Sequence, residues 1–189
     1  MNLAGTDQPE RVSALRLSAG MLPLLGMHPL LGRVFTMQEE IAGSERVAVI
    51  SYGLWQRRFA ADRAVIGRSV LFDGQPFTII GVMPPTFQFA PFWVTHAEIW
   101  APLPLGARAT SRTGQSLRVF ARLRPGVRLE QARSDLAAVS ARLEREFPGT
   151  NRNVTVQSLK HIVVGDIETP LLILLGAVAF VLLIACANV

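Results

Sequence analysis

From Leu171 to Ala187 the chain reads LLILLGAVAFVLLIACA, seventeen residues without a charge or a proline. An α-helix rises about 1.5 Å per residue and a bilayer core is about 30 Å thick, so roughly 20 apolar residues are needed to cross it. The run from Leu171 to Val189 supplies nearly that number before the sequence stops. A buried core helix is the competing reading, but such helices carry about 10–14 apolar residues and are seldom apolar on every face. The predicted span is therefore Leu171 to Val189, within a terminal segment 170–189 that is cut short at its C-terminal end. Pro170 suits the first turn of that helix, where a missing N–H leaves no bond unmade. Asp166 and Glu168 then lie in water beside the positive end of the helix dipole.

Ahead of the span, 189 residues of 50% hydrophobic content suffice for one domain of about 165 residues or for two small lobes. The formal charge of +5 comes from eighteen arginines and one lysine, Lys160, against fourteen acids. These arginines are spread from Arg11 to Arg152, which argues against a nucleic-acid surface, where the charges gather in one patch. Cys186 is the single cysteine. It leaves no intrachain disulfide, no C-x-x-C or Cys/His zinc pattern exists, and cysteine usage says nothing of the redox compartment.

Residues 11–33 imitate a secretory signal, with Arg11 and Arg16 ahead of the apolar stretch Leu17–Leu25. Pro23, His28 and Pro29 interrupt that stretch, and no small-x-small cleavage site follows. The preferred reading is a strand over Val12–Leu17 and a short helix from Ser18 to about Leu25, closed by Gly26. RVAVIS, Arg46–Ser51, predicts a short buried strand ending in a helix-capping serine. The helix behind it, Tyr52–Phe59, carries Leu54, Trp55 and Phe59 on one face, with Arg58 along its edge. VLFDGQPFTIIGV, Val70–Val82, predicts a hairpin closed at Asp73-Gly74, with Pro76 demoting the start of its second strand to an edge or a bulge. Met83–Leu105 is too rich in proline for a helix and predicts a loop with a short strand near Glu98–Ala101.

Leu117–Leu123 alternates apolar residues with Arg118, Phe120, Arg122 and Arg124, the signature of a strand with one buried face. A helix follows from Leu129 to about Phe147, with Leu129, Ala132, Leu136, Val139, Leu143 and Phe147 on one stripe and Pro148-Gly149 at its end. Val154 and Val156 give a second strand, so Leu117–Leu159 predicts a right-handed β-α-β unit with parallel strands. Leu136, mid-stripe, is expected to cost about 2–5 kcal/mol when cut to alanine.

Chemistry is sparse. No Walker loop or nucleophile elbow is present, and His28, His96 and His161 sit in unrelated segments without metal-ligand spacing. Glu39-Glu40 and Asp135 read as solvated faces. The chain predicts no catalytic, cofactor-binding or metal-binding residue, and no cofactor.

Taken together, SAGMLPLLGMHPLLGRVFT (Ser18–Thr36), VAVISYGLWQRRFAADRAVIGRSVLFDGQPFTIIGVMPP (Val47–Pro85), IWAPLPL (Ile99–Leu105), LRVFARLRPGVRLEQA (Leu117–Ala132) and LLGAVAFVLLIACANV (Leu174–Val189) resemble the MacB-like periplasmic core domain leading into an FtsX-like permease helix. Two departures touch local packing: Met21-Leu22 stands where an aromatic residue is common, and Arg128 where a capping Ser or Thr is common. The resemblance implies an α+β, two-lobed extracytoplasmic domain over residues 1–169, with a β-rich lobe inserted at about 46–105 into a lobe holding the β-α-β unit 117–159. One transmembrane helix, 170–189, follows it.

The same resemblance implies a non-enzymatic part of an ABC transporter permease in the bacterial inner membrane, coupling ATPase-driven motion to export across the envelope. A non-transporting signalling module that regulates a periplasmic partner such as a cell-wall enzyme is the alternative. Implied partners are a cytoplasmic ABC ATPase, a second permease copy in a dimer, a periplasmic adaptor and membrane lipid. Family members carry a first membrane helix and more of the domain before the position of Asn2. The chain is accordingly expected to be a fragment truncated at both ends and prone to aggregate or to bind membranes.

Overall fold

The computed structural model describes residues 2–4, 10–41, 43–87, 96–104, 106, 117–150 and 154–187. They fall into two compact units, Met1–Arg122 and Leu123–Val189.

The first unit is built on one mixed sheet. Its strands are β1 (Asn2–Ala4), β2 (Glu10–Arg11), β3 (Ala14–Leu17), β4 (Leu31–Gly32), β5 (Val47–Ile50), β6 (Ser69–Phe72), β7 (Gln75–Val82) and β8 (Ile99–Pro102), in spatial order β2-β1-β6-β7-β5-β8-β3, with β4 also paired to β7. β5 runs parallel to β7 and antiparallel to β8, while β3 runs parallel to β8. All four residues of β5, VAVI, are buried, as are all four of β8, so both faces of the sheet are covered at its centre. This is why RVAVIS reads as an unbroken apolar run rather than as an alternation.

Each face has its own core. On one side Ala48, Ile50, Phe77, Ile79, Ile99 and Ala101 pack with Leu54, Trp55 and Phe59 of α2 (Tyr52–Phe59). On the other, Val47, Val49, Ile80 and Trp100 pack with Leu22, Phe35, Met83 and Phe87. Leu22 belongs to α1 (Met21–Leu24), which ends at Leu25 and Gly26, the latter at φ 71°, close to the predicted stop. Ser51 caps α2 as expected, its Oγ accepting from Leu54 N–H at 3.1 Å.

The hairpin forms where Asp73-Gly74 predicts it, with φ of 49° and 74° at the two turn residues. Pro76 stands opposite Leu71, next to the pair that flanks the turn. In a two-residue hairpin that second pair exchanges no ladder bonds, so the missing N–H costs nothing toward β6. On the other side of β7, pairing with β5 starts only at Thr78. The irregularity lies further along instead: Ala48 pairs with Ile79 and Val49 with Gly81, leaving Ile80 as an extra residue. The Ile80 carbonyl accepts from Arg33 N–H at 2.9 Å, at the β4 side of the strand. There Gly32 faces Gly81, and a Cβ on Gly32 would lie 2.1 Å from the Ile80 oxygen, one on Gly81 2.3 Å from the Arg33 oxygen. Only glycine lets the two backbones approach this closely.

The second unit holds α3 (Leu129–Glu146) and α4 (Leu159–Ala187). α3 starts at Arg128 without a side-chain cap from that residue, and Gln131 Oε1 instead accepts from Arg128 N–H at 2.8 Å. Its end is closed by Gly149, at φ 85°, whose N–H donates to Glu144 Oε1. The helix is thus close to its predicted range, but the strands expected on either side are not formed. Residues 117–124 and 154–157 are unpaired with any strand among the described residues. Alternation prepares a face for burial, but a strand also needs a neighbour to take its N–H and C=O groups. The face prepared in the first segment stays in solvent, with Leu117 52% and Val119 89% exposed. The second segment lies along α3 instead, where Arg133 Nε donates to the Val156 carbonyl at 3.0 Å.

Because Leu136 is 37% and Val139 42% exposed, the core-sized penalty expected for Leu136→Ala does not apply. A side chain already partly in water leaves no sealed cavity when it is shortened.

Candidate functional site: an apolar span and the carboxylates of the sheet unit

α4 is a single helix of 29 residues with Pro170 inside it, not at its first turn as the sequence suggests. The charge-bearing stretch 159–169 goes helical and carries the start back to Leu159. Pro170–Ala187, 18 residues of mean hydropathy 2.8 and none of it buried, is long and apolar enough to cross a membrane. Of the predicted end points, Leu171 lies in the helix and Val189 lies outside the described residues. Side chains apolar on all sides and exposed on all sides are the pattern that a lipid-facing span requires. Cys186, on the same stretch, is free and exposed.

The acids of the sheet unit are more engaged than solvated faces would be. Met37–Glu40 forms a 3₁₀ turn behind Thr36. There Glu39 meets the Arg33 guanidinium through two bonds, at 2.6 and 3.0 Å, and accepts from Thr36 N–H at 2.6 Å. Glu40 Oε1 accepts from Ala19 N–H, tying this turn to the start of α1. The signal for this arrangement was present in the sequence, since Thr36-Met-Gln-Glu39 is a capping-box pattern. Asp135 does lie on an exposed face.

A second cluster forms across the sheet. Arg57 of α2 donates to Glu10 of β2 at 2.6 and 3.2 Å and to Glu98, just before β8, at 3.0 Å. No spacing rule connects residues 10, 57 and 98, so sequence gives no warning of this cluster. The Glu10 hydrogen bond, followed by that of Glu98, holds the Arg57 guanidinium above its usual pKa.

Glu39 is held below the usual carboxylate range, first by its hydrogen bond to Arg33 and, more weakly, by the Thr36 N–H. A carboxylate whose folded pKa is depressed stabilises the fold above the unfolded pKa and loses that contribution as pH falls through the folded value. Arg33 is half in solvent, so the pair contributes about 1 kcal/mol at pH 7. In urea titrations of the chain in detergent, wild type should exceed Glu39→Gln by that amount at neutral pH. The gap should close below about pH 4.3, the ordinary glutamate value. A gap unchanged at pH 2 would assign the effect to something other than ionised Glu39.

His28 and His96 are exposed and lie on separate segments. Among the described residues no group of three His, Cys, Asp or Glu side chains is placed to hold a metal ion. The charged groups of these two clusters bond to one another and to backbone amides, an arrangement that holds elements together.

A doubly covered mixed sheet, a helical unit and a helix of membrane-span length define an α+β protein with one candidate transmembrane helix. Residues 2–139 match the sequence model of the MacB-like periplasmic core domain, and the chain belongs to that family. Two solved structures, of MacB and of a putative permease, agree on the fold. The periplasmic region of MacB from Actinobacillus actinomycetemcomitans aligns at a TM-score of 0.53 and 15% identity, over 79% of this chain and 64% of that one. A domain of a putative permease protein from Porphyromonas gingivalis aligns at 0.51 and 17%, over 86% and 76%. The extracellular domain of the noncanonic ABC-type transporter YknZ from Gram-positive bacteria aligns at 0.45 and 19%, over 56% and 50%. The chain thus spans half of the YknZ domain and about two thirds of the MacB region. No curated protein matches it.

Proposed function

We propose that this chain is the extracytoplasmic domain and adjoining membrane span of an ABC transporter permease, and that it couples ATPase-driven motion to export across the bacterial envelope. The observation that carries this reading is the order of its parts: a region matching the MacB-like periplasmic core domain, residues 2–139, followed by an exposed apolar helix of span length. In this reading residues 1–169 lie outside the cytoplasmic membrane, as a β-rich lobe and a second lobe containing α3, and α4 enters the inner membrane at Pro170. The domain performs no chemistry of its own. A cytoplasmic ABC ATPase supplies the energy, a second permease copy completes a dimer, and a periplasmic adaptor and the surrounding lipid are the remaining contacts.

Thiol labelling tests the orientation. With Cys186→Ser as background, Gln56→Cys places one thiol on the exposed side of α2. In whole cells expressing the chain within its complete permease, a membrane-impermeant maleimide should label Gln56→Cys before lysis. Labelling only after lysis would put the sheet unit in the cytoplasm and overturn the proposal. If the orientation holds but deleting the permease alters cell-wall hydrolysis and leaves export unchanged, the transport half of the proposal fails.

A further inference from the structure

Every charged residue of α4, Lys160, Asp166 and Glu168, precedes Pro170, and none follows it through Ala187. The one proline of the helix therefore falls at the point where its composition changes from aqueous to lipidic. Proline at this position has no N–H to offer the carbonyl four residues back, that of Asp166, and its ring crowds the same carbonyl. Sharp kinks in helices, of more than about 20°, concentrate at such sites. Deep in a bilayer the freed carbonyl would need a protein partner, but at the boundary water can satisfy it.

We infer that Pro170 makes α4 a jointed element, a charge-bearing rod over 159–169 set at an angle to the span 170–187, with the joint at the water–lipid boundary. This inference rests on the membrane reading proposed above. A straight helix would fix the direction of the chain on leaving the membrane by the tilt of the span. A joint lets the aqueous rod take a direction of its own while both halves keep their internal hydrogen bonds.

Solid-state NMR on ¹⁵N-labelled chain in aligned bilayers tests this, because amide orientation reports the tilt of each half separately. Wild type should give two tilts that differ by more than about 20°, and Pro170→Ala should bring them to a common axis. A single tilt in both proteins would remove the joint and leave the membrane reading intact. Isotropic signals from 159–169 in wild type would overturn it differently, by making that stretch a disordered tether. Extraction of wild type by alkaline carbonate would sink the membrane reading and the joint together.

Discussion

Arginines introduced together at Val178 and Ala179 should release the chain from membranes. Both positions lie at the middle of Pro170–Ala187, where no element among the described residues covers them. An arginine at the centre of a span costs about 2.5–3.5 kcal/mol on insertion scales, so the pair costs about 5–7 kcal/mol. That shifts partitioning by roughly four to five powers of ten, since about 1.4 kcal/mol is a factor of ten. After alkaline carbonate extraction, wild type should stay in the pellet and Val178→Arg/Ala179→Arg should move to the supernatant. The control is Arg133→Ala on α3, which changes a charge outside the span and should leave the pellet fraction as it was. If the doubly substituted chain remained membrane-bound, α4 would not be the element that holds the protein to lipid.

Trp100→Ala should be the most damaging single truncation in the sheet unit. Trp100 is 1% exposed at the centre of β8 and packs against Phe87 with ring centroids 4.9 Å apart. Removing so large a buried side chain costs about 3–5 kcal/mol through lost burial and the cavity left behind. The indole adds a second, separable effect. Its Nε1–H is buried without a hydrogen-bond partner among the described residues, a state that costs about 1–3 kcal/mol. Trp100→Phe removes that unsatisfied donor along with part of the ring, so the two changes offset. Urea unfolding should therefore rank wild type close to Trp100→Phe and well above Trp100→Ala. Equal losses in the two variants would show that the indole N–H is satisfied in solution, by water or by a residue beyond those described.

Trp55 makes the contrast clear. It is also buried, but its Nε1–H donates to the Asp62 carbonyl at 2.8 Å, and it closes the loop beyond α2. Tryptophan in a core is ordinarily held in this way. At Trp55 replacement by phenylalanine removes a bond, and at Trp100 it removes a liability.

The parts of this fold legible in the sequence were those set by neighbours along the chain. Asp73-Gly74 needs positive φ at two successive residues, and the hairpin follows from that local requirement. Ser51 sits one residue before an amphipathic helix and caps it. The apolar run after Pro170 needs no partner to be recognised, because its composition alone names its solvent. Elements as short as β1, β2 and β4 had no comparable signal, since two or three residues are too few to show a period; β1 and β4 exist as strands only because β6 and β7 offer them edges, and β2 only because β1 does.

The same distinction explains the two strands that did not form around α3 and the charge cluster that went unforeseen. Alternation in Leu117–Leu123 and Val154–Val156 states which face a strand would bury, and the sequence determined that much, as it determined the extent of α3 and the lipid character of α4. Whether a ladder closes depends on a second strand at about 4.8 Å, which is a fact about the rest of the molecule. Glu10, Arg57 and Glu98 likewise carry no mark of one another, and only the pairing of β3 with β8, which sets the chain just after Glu10 beside Glu98 through Glu98 N–H to the Ser13 carbonyl, lets one guanidinium bond both acids. Periodicity and turn chemistry act within a few residues and can be read from the chain, whereas ladders and ion pairs join residues dozens of positions apart, and only the tertiary structure decided those.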